Sequence, residues 1–130
     1  MYVLDTNTLI YFFKGIGSIA KRLLSKPPKE IGIPSIVLYE LEVGIAKSKS
    51  PHKRLKQIEK IISLIRVLPF AAKEAKSSAS IRVQLEKKGA LIGPFDILIG
   101  GTALAHQAVL VTHNIKEFKR INKLQIEDWY

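Results

Sequence analysis

The sequence predicts an α/β protein with a short, mostly parallel central sheet covered on both faces by helices. Three observations carry this prediction. Short apolar runs alternate along the chain with longer stretches of helical periodicity, the order expected of parallel strands joined by helices. The clearest runs are apolar throughout, as in strands buried on both faces. Polar residues directly follow two of them, Asp5 after the first and Thr112-His113-Asn114 after the fourth, where working groups gather beyond the strand ends of such sheets.

Taken in order, Tyr2-Val3-Leu4 reads as a buried strand, followed by a helix with Leu9, Ile10 and Phe13 on one face that Gly15 and Gly17 stop. Ser18 is placed to cap a second short helix carrying Ile19, Leu23 and Leu24, which Pro27-Pro28 ends. Residues 31–33 form a second strand, and Pro34 opens a helix reaching about Lys47. The turn at residues 48–51 leads into an amphipathic helix with Leu55, Ile58, Ile61, Ile62 and Ile65 inward. Residues 66–68 are strand-like and Pro69 closes them. Residues 71–88 read as a helix with Gly89 just past its end. Pro94 starts a helix running to about Ala105, residues 108–112 form a strand of Val and Leu, and a short helix near 115–119 precedes a last strand near 124–126.

At 130 residues the chain fits a single domain, residues 1–130, with one sizeable core. A 47% hydrophobic and 25% charged composition is that of a folded protein. Lys and Arg outnumber Asp and Glu by 21 to 11, and the resulting net charge of +10 favours a polyanionic partner. The absence of Cys excludes a disulfide framework and thiolate metal sites and fits a cytoplasmic protein. No signal peptide is readable. The stretch 97–115 lacks Asp, Glu, Lys and Arg, but Gly100-Gly101, Thr102, His106, Gln107 and His113-Asn114 make it a buried helix and strand, not a membrane span.

Against this basic background three acids sit inside apolar segments. Asp5 ends the first strand, Glu40 interrupts a helical face made by Ile36, Val37, Val43 and Gly44, and Asp96 stands alone between Gly89 and Thr112. Each has a plainer reading. Asp5 suits a helix N-cap, Glu40 a buried ion pair with Lys or Arg, and Asp96 an electrostatic cap in the first turn after Pro94. As a set they point to a metal site. Asn114 can offer a neutral oxygen, or simply occupy a left-handed turn, and Glu117 adds a carboxylate one turn later. His113 reads as structural or exposed. His52 and His106 lack partners at metal-ligand spacing, which disfavours zinc.

The segments Leu4-Asp5-Thr6-Asn7, Tyr39-Glu40-Leu41, Pro94-Phe95-Asp96-Ile97-Leu98-Ile99 and Thr112-His113-Asn114-Ile115-Lys116-Glu117-Phe118 resemble the four motifs of PIN-domain nucleases. The closing Leu124-Gln125-Ile126-Glu127-Asp128-Trp129 resembles the tail of the family's VapC toxin branch. The motifs are weak singly and specific as an ordered set covering nearly the whole chain. The resemblance implies a three-layer α/β/α sandwich and Mg²⁺- or Mn²⁺-dependent endoribonuclease activity leaving 5′-phosphate and 3′-hydroxyl ends. It further implies a VapB-like antitoxin docked on a helical groove, and a homodimer. By motif, Asp5, Glu40 and Asp96 are the metal-site acids, Glu117 a fourth catalytic acid, and Thr6, Asn7, Thr112 and Asn114 supporting groups. Many family members carry Asp where this chain has Asn114, so the number of ions, one or two, stays open.

The chemistry of the residues agrees. Carboxylates without Cys or paired His suit Mg²⁺ or Mn²⁺ before Zn²⁺, and an acid-lined site needs metal charge to work on an anionic phosphodiester. Lys47, Lys49, Lys53 and Arg54, with Lys56 and Lys60, are candidate RNA contacts, and Lys73, Lys76, Arg82, Lys87 and Lys88 a second supply. A solvated helix face is their plainer reading. Tyr11, Phe12 and Phe13 read as core and groove lining. Two rivals are a non-catalytic RNA- or partner-binding module and phosphoryl transfer on Asp5. The latter calls for a second acid close after the first strand, where this chain has Thr6-Asn7.

Overall fold

The computed structural model describes residues 1–130. Its five strands are β1 (Tyr2–Leu4), β2 (Ile31–Pro34), β3 (Arg66–Leu68), β4 (Val109–Val111) and β5 (Gln125–Glu127). They form one sheet in the order β3-β2-β1-β4-β5, and every pairing is parallel. The helices are α1 (Thr6–Lys14), α2 (Ile19–Leu24), α3 (Ser35–Lys47), α4 (Pro51–Leu64), α5 (Ala72–Lys87), α6 (Pro94–Ala105) and α7 (Ile115–Phe118). Together they make a three-layer α/β/α sandwich. No helix is long and apolar enough to cross a membrane.

The strand order reverses beside β1. The chain steps outward from β1 to β2 and β3, then returns through α5 and α6 to place β4 on the other flank of β1. Leu4 registers with Val111, so Asp5 and Thr112 leave the sheet side by side. Such a switch point opens a crevice at the carboxyl ends of the strands. The sheet is held by its apolar residues: Val3, Leu4, Ile31, Ile33, Leu110 and Val111 are all buried. Each contributes roughly 1.5–3 kcal/mol relative to an exposed side chain.

Local signals explain most element ends. Asp5 caps α1, accepting from the backbone N–H of Thr8 at 2.9 Å. Gly15 ends α1 at φ +68°, a left-handed conformation that glycine adopts without steric cost. Pro94 occupies the first turn of α6 and Gly89 the left-handed turn after α5. Ile58 and Ile61 are buried on α4, flanked by half-buried Leu55, Ile62 and Ile65.

Three expectations are corrected. Ser18 precedes α2 but its hydroxyl makes no capping bond; its backbone N–H instead donates to Tyr130 O at 3.2 Å. Leu24 is 77% exposed, because α2 ends there and turns it away from the core. The face of α3 that carries Glu40 is only partly buried: Val37 is buried, Ile36, Glu40 and Val43 are half-buried, and Gly44 is exposed.

Helices α5 and α6 meet at Gly101. A Cβ built there would lie 2.8 Å from Ser78 Cα, a backbone atom that cannot step aside alone. At Gly44, by contrast, a Cβ would meet nothing within 4 Å. Substitution by Ala therefore has opposite signs at two helical glycines. Gly101→Ala should destabilise by about 1–3 kcal/mol through overpacking, while Gly44→Ala should stabilise by about 0.5–1 kcal/mol through helix propensity. Thermal melts of the two variants check this; the same sign for both would contradict the packing described.

Candidate active site

Asp5 lies at the β1–α1 junction and is 4% exposed. Both its oxygens are held. Oδ1 accepts from Thr8 N, and Oδ2 accepts from the Thr112 hydroxyl at 2.6 Å. Thr8 also donates through its own hydroxyl to Val111 O at 3.1 Å, tying α1 to β4. Burial pushes the Asp5 carboxyl above its ordinary pKa, the Thr112 and Thr8 donors oppose that rise, and the Asp128 charge adds to it. N-cap and site residue are thus one and the same group.

Glu40 projects from the middle of α3, and Thr6 donates to its Oε1 at 2.6 Å. Asp96 stands in the first turn of α6. Burial, and then the like charges of Asp5, Glu117 and Glu40, raise its pKa from 3.8 to about 6. Asp96 thus feels the charges of acids carried by three other elements. Glu117, in the single turn of α7, accepts from Asn114 Nδ2 at 2.9 Å through its Oε2. Asn114 faces the fourth acid as a donor, and its backbone N–H is fixed on the Thr112 hydroxyl at 3.0 Å. Its φ of −87° excludes the left-handed turn.

None of the four acids has a Lys, Arg or His within salt-bridge distance, although the chain carries a net charge of +10. This removes the ion-pair reading of Glu40. Hard oxygen donors in excess, unneutralised and without thiolate or imidazole, form a donor set that fits Mg²⁺ or Mn²⁺. No three acid or histidine side chains are already gathered around one point. Closing such a set calls on side-chain rotation at half-buried Glu40 and Asp96, or on oxygens from water and substrate, which Mg²⁺ usually retains.

The remaining sequence candidates are placed unequally. Thr6 and Thr112 bond the acids directly, whereas Asn7 is exposed. Lys47, Lys49 and Lys53 are exposed and Arg54 is half-buried. Two groups near the site escaped sequence reasoning. Thr8 could have been found from the rule that an N-cap oxygen accepts from the third helical N–H. Asp128, which acts on Asp5 and bonds His113 Nδ1 at 2.9 Å, reaches the site only through the pairing of β5 with β4.

The most buried acid was also missed. Glu74 is 1% exposed on α5, accepts from Ala71 N at 3.0 Å, and lies 3.1 Å from His106 Nε2. Burial pushes its carboxyl up, but the N–H groups of Ala71 and of Glu74 itself, with His106 and Lys73, outweigh that and hold it below the ordinary value. His106 is ten residues from Asp96 along α6, roughly 15 Å at the helical rise, so this pair ties α5 to α6 away from the crevice.

Residues 2–124 match the family profile described as PIN domain. The chain is 37% identical over 137 residues to the Ribonuclease VapC2 of Rickettsia felis, covering 99% of this chain and 98% of that protein. It is also 37% identical over 128 residues to the tRNA(fMet)-specific endonuclease VapC of Salmonella typhimurium, covering 98% and 97%. Among solved structures, a DNA-bound VapBC from Salmonella typhimurium superposes with a TM-score of 0.93 at 38% identity, over 99% of this chain and 98% of that one.

The burial of Asp96, and then the like charges near it, have a consequence for pH. In chelator, folded Asp96 holds its proton up to about 6 while the unfolded chain releases it near 3.8. Between those values the native state binds more protons, so stability should fall as pH rises through the window. Asp96→Asn should flatten that slope, and Mg²⁺ should restore stability at the upper end. Melting temperatures measured across the window, with and without Mg²⁺, check this; a slope of opposite sign would show that folding does not raise the Asp96 pKa.

Proposed function

The chain belongs to the PIN-domain family and is a homologue of the VapC ribonucleases, and on that premise we propose that it is a Mg²⁺- or Mn²⁺-dependent endoribonuclease, the toxin of a VapBC-like toxin–antitoxin pair. The observation that carries this reading is the set of four uncompensated acids at the sheet's switch point in a strongly basic protein. Asp5, Asp96 and Glu40 are the residues that would hold the ion. When bound, a divalent ion would supply positive charge against the phosphodiester and lower the pKa of an attacking water.

The chain's own groups set the conditions for that chemistry. Thr112 and Thr8 hold the Asp5 carboxylate in one orientation, so little ordering is left to be done when a ligand arrives. Thr6 takes up Oε1 of Glu40 and leaves Oε2 to bind or to orient the nucleophilic water. Asn114 steadies Glu117 without adding another negative charge, which keeps the fourth side of the site less repulsive toward a phosphate. Asp96 is poised to ionise near neutral pH, so its charge becomes fully available when a cation offsets its neighbours.

The antitoxin partner has a place to dock. A cleft of about 520 Å³ is lined mainly by apolar residues of α1, α2 and α4, including Phe12, Phe13, Leu23, Leu24, Ile61 and Leu64. Exposed Leu24 belongs to this lining, where a segment of a VapB-like protein would cover it. The substrate is an RNA; tRNA, the substrate named for the Salmonella typhimurium relative, is the first to test.

Purified protein should cleave tRNA or total cellular RNA with added Mg²⁺ or Mn²⁺ and not in chelator. Asp5→Asn and Asp96→Asn should each lower kcat/KM by at least about 10²-fold while circular dichroism shows the fold retained. Thr112→Val, which frees the Asp5 carboxylate without removing it, should cost about 10–100-fold, as loss of an orienting partner does. RNA bound without cleavage, and unchanged by Asp5→Asn, would mark a binding module instead.

A further inference from the structure

Beside Glu40 a second cleft, of about 310 Å³, runs between α1, α3 and α4 and is lined by Ile10, Glu40, Leu41, Gly44, Ser48 and Arg54. We propose that this cleft is a substrate subsite in which Arg54 binds the phosphodiester next to the one being cut. The proposal rests on the ribonuclease reading above and names where the flanking nucleotide goes.

Arg54 is half-buried and its guanidinium is already held in place. Nη1 donates to Gln57 Oε1 at 2.9 Å, and the guanidinium carbon lies 5.1 Å from the centre of the Phe13 ring. Gln57 is itself anchored, donating to Phe13 O at 3.4 Å. Yet no carboxylate lies within salt-bridge distance of Arg54. A positioned guanidinium with spare donors and no anionic partner, on a residue that lines this cleft, has the fork geometry with which arginine grips phosphate oxygens.

The cleft's other features agree with an anionic guest. Its size is at the lower end of ligand pockets, roughly 300–1,000 Å³. One wall is a site acid, so whatever fills it adjoins the reacting phosphate. Glu40 repels a phosphate from that wall and biases it toward the Arg54 end. Gly44 contributes no side chain, and a Cβ there would project into open space. Exposed Lys47, Lys49 and Lys53 on the adjoining turn and helix raise the local potential and steer RNA inward, without the fixed geometry Arg54 has.

The test uses a mixed-sequence single-stranded RNA oligonucleotide carrying a 5′ fluorophore. Binding is read by anisotropy in chelator, where no cleavage occurs, and cleavage is read separately with Mg²⁺. Arg54→Met keeps the stem that packs on Phe13 and removes the charge. It should weaken binding about tenfold, raise KM to match, leave kcat within about twofold, and reduce the salt slope of log K by about 0.7. Gly44→Leu keeps the charge, strengthens the helix and fills the cleft; it should weaken binding similarly without lowering the melting temperature. Arg54→Lys should recover part of the loss.

Unchanged binding in both Arg54→Met and Gly44→Leu would overturn the subsite while leaving the ribonuclease reading intact. A lower melting temperature in Arg54→Met with KM unmoved would make Arg54 a packing residue and overturn it too. If the wild type binds the oligonucleotide through Arg54 but never cuts RNA, the ribonuclease reading fails and the anion-binding cleft stands.

Discussion

The Thr112 hydroxyl donates to the Asp5 carboxylate across the seam between β1 and β4, and the rest of the site is arranged around that bond. It exists because two parallel strands in matched register end together where the strand order reverses. The buried acid it holds also caps α1. Sheet, first helix and site are therefore joined at one carboxylate. A change of strand register by a single residue would separate the donor from its acceptor and turn the strand's side chains to the opposite face.

Around that anchor the protein concentrates negative charge against its own average. The chain carries a net charge of +10, yet no Lys, Arg or His lies within salt-bridge distance of the four acids. A structural role would have been served better by pairing them, since an unpaired charge taken from water is costly. The raised pKa of Asp96 is the visible trace of that cost. On the proposed reading, Asp5, Asp96 and Glu40 would hold a hard divalent cation that offsets this repulsion, so that an anionic RNA would meet a neutralised centre inside a positive field.

Much of this was legible in the sequence. The apolar runs, proline starts and glycine stops located all five strands and seven helices to within a residue or two, because each rests on local chemistry. Asp5, Glu40 and Asp96 stood out because an acid inside an apolar run is conspicuous. What stayed hidden depends on tertiary packing. Glu74 sits in a helix whose sequence, Ala71-Ala72-Lys73-Glu74-Ala75-Lys76, reads as solvated, and it is buried only because α6 lays its small-residue face on α5. The sequence pattern makes Glu40 look more buried than it is, because apolar residues at helical spacing do not reveal that Gly44 opens a cleft beside them. Asp128 enters the site through β5, a strand too short for its register to be read from pattern alone.

Whether these four acids form a cation site is decided by locating the ion. Crystals grown with Mn²⁺ should give an anomalous peak in the crevice at the carboxyl ends of β1 and β4, in contact with Asp5 and Asp96 and within reach of Glu40 or Glu117. A crevice without a peak at saturating Mn²⁺, or a peak confined to surface carboxylates elsewhere, would mean that the four acids do not bind a cation.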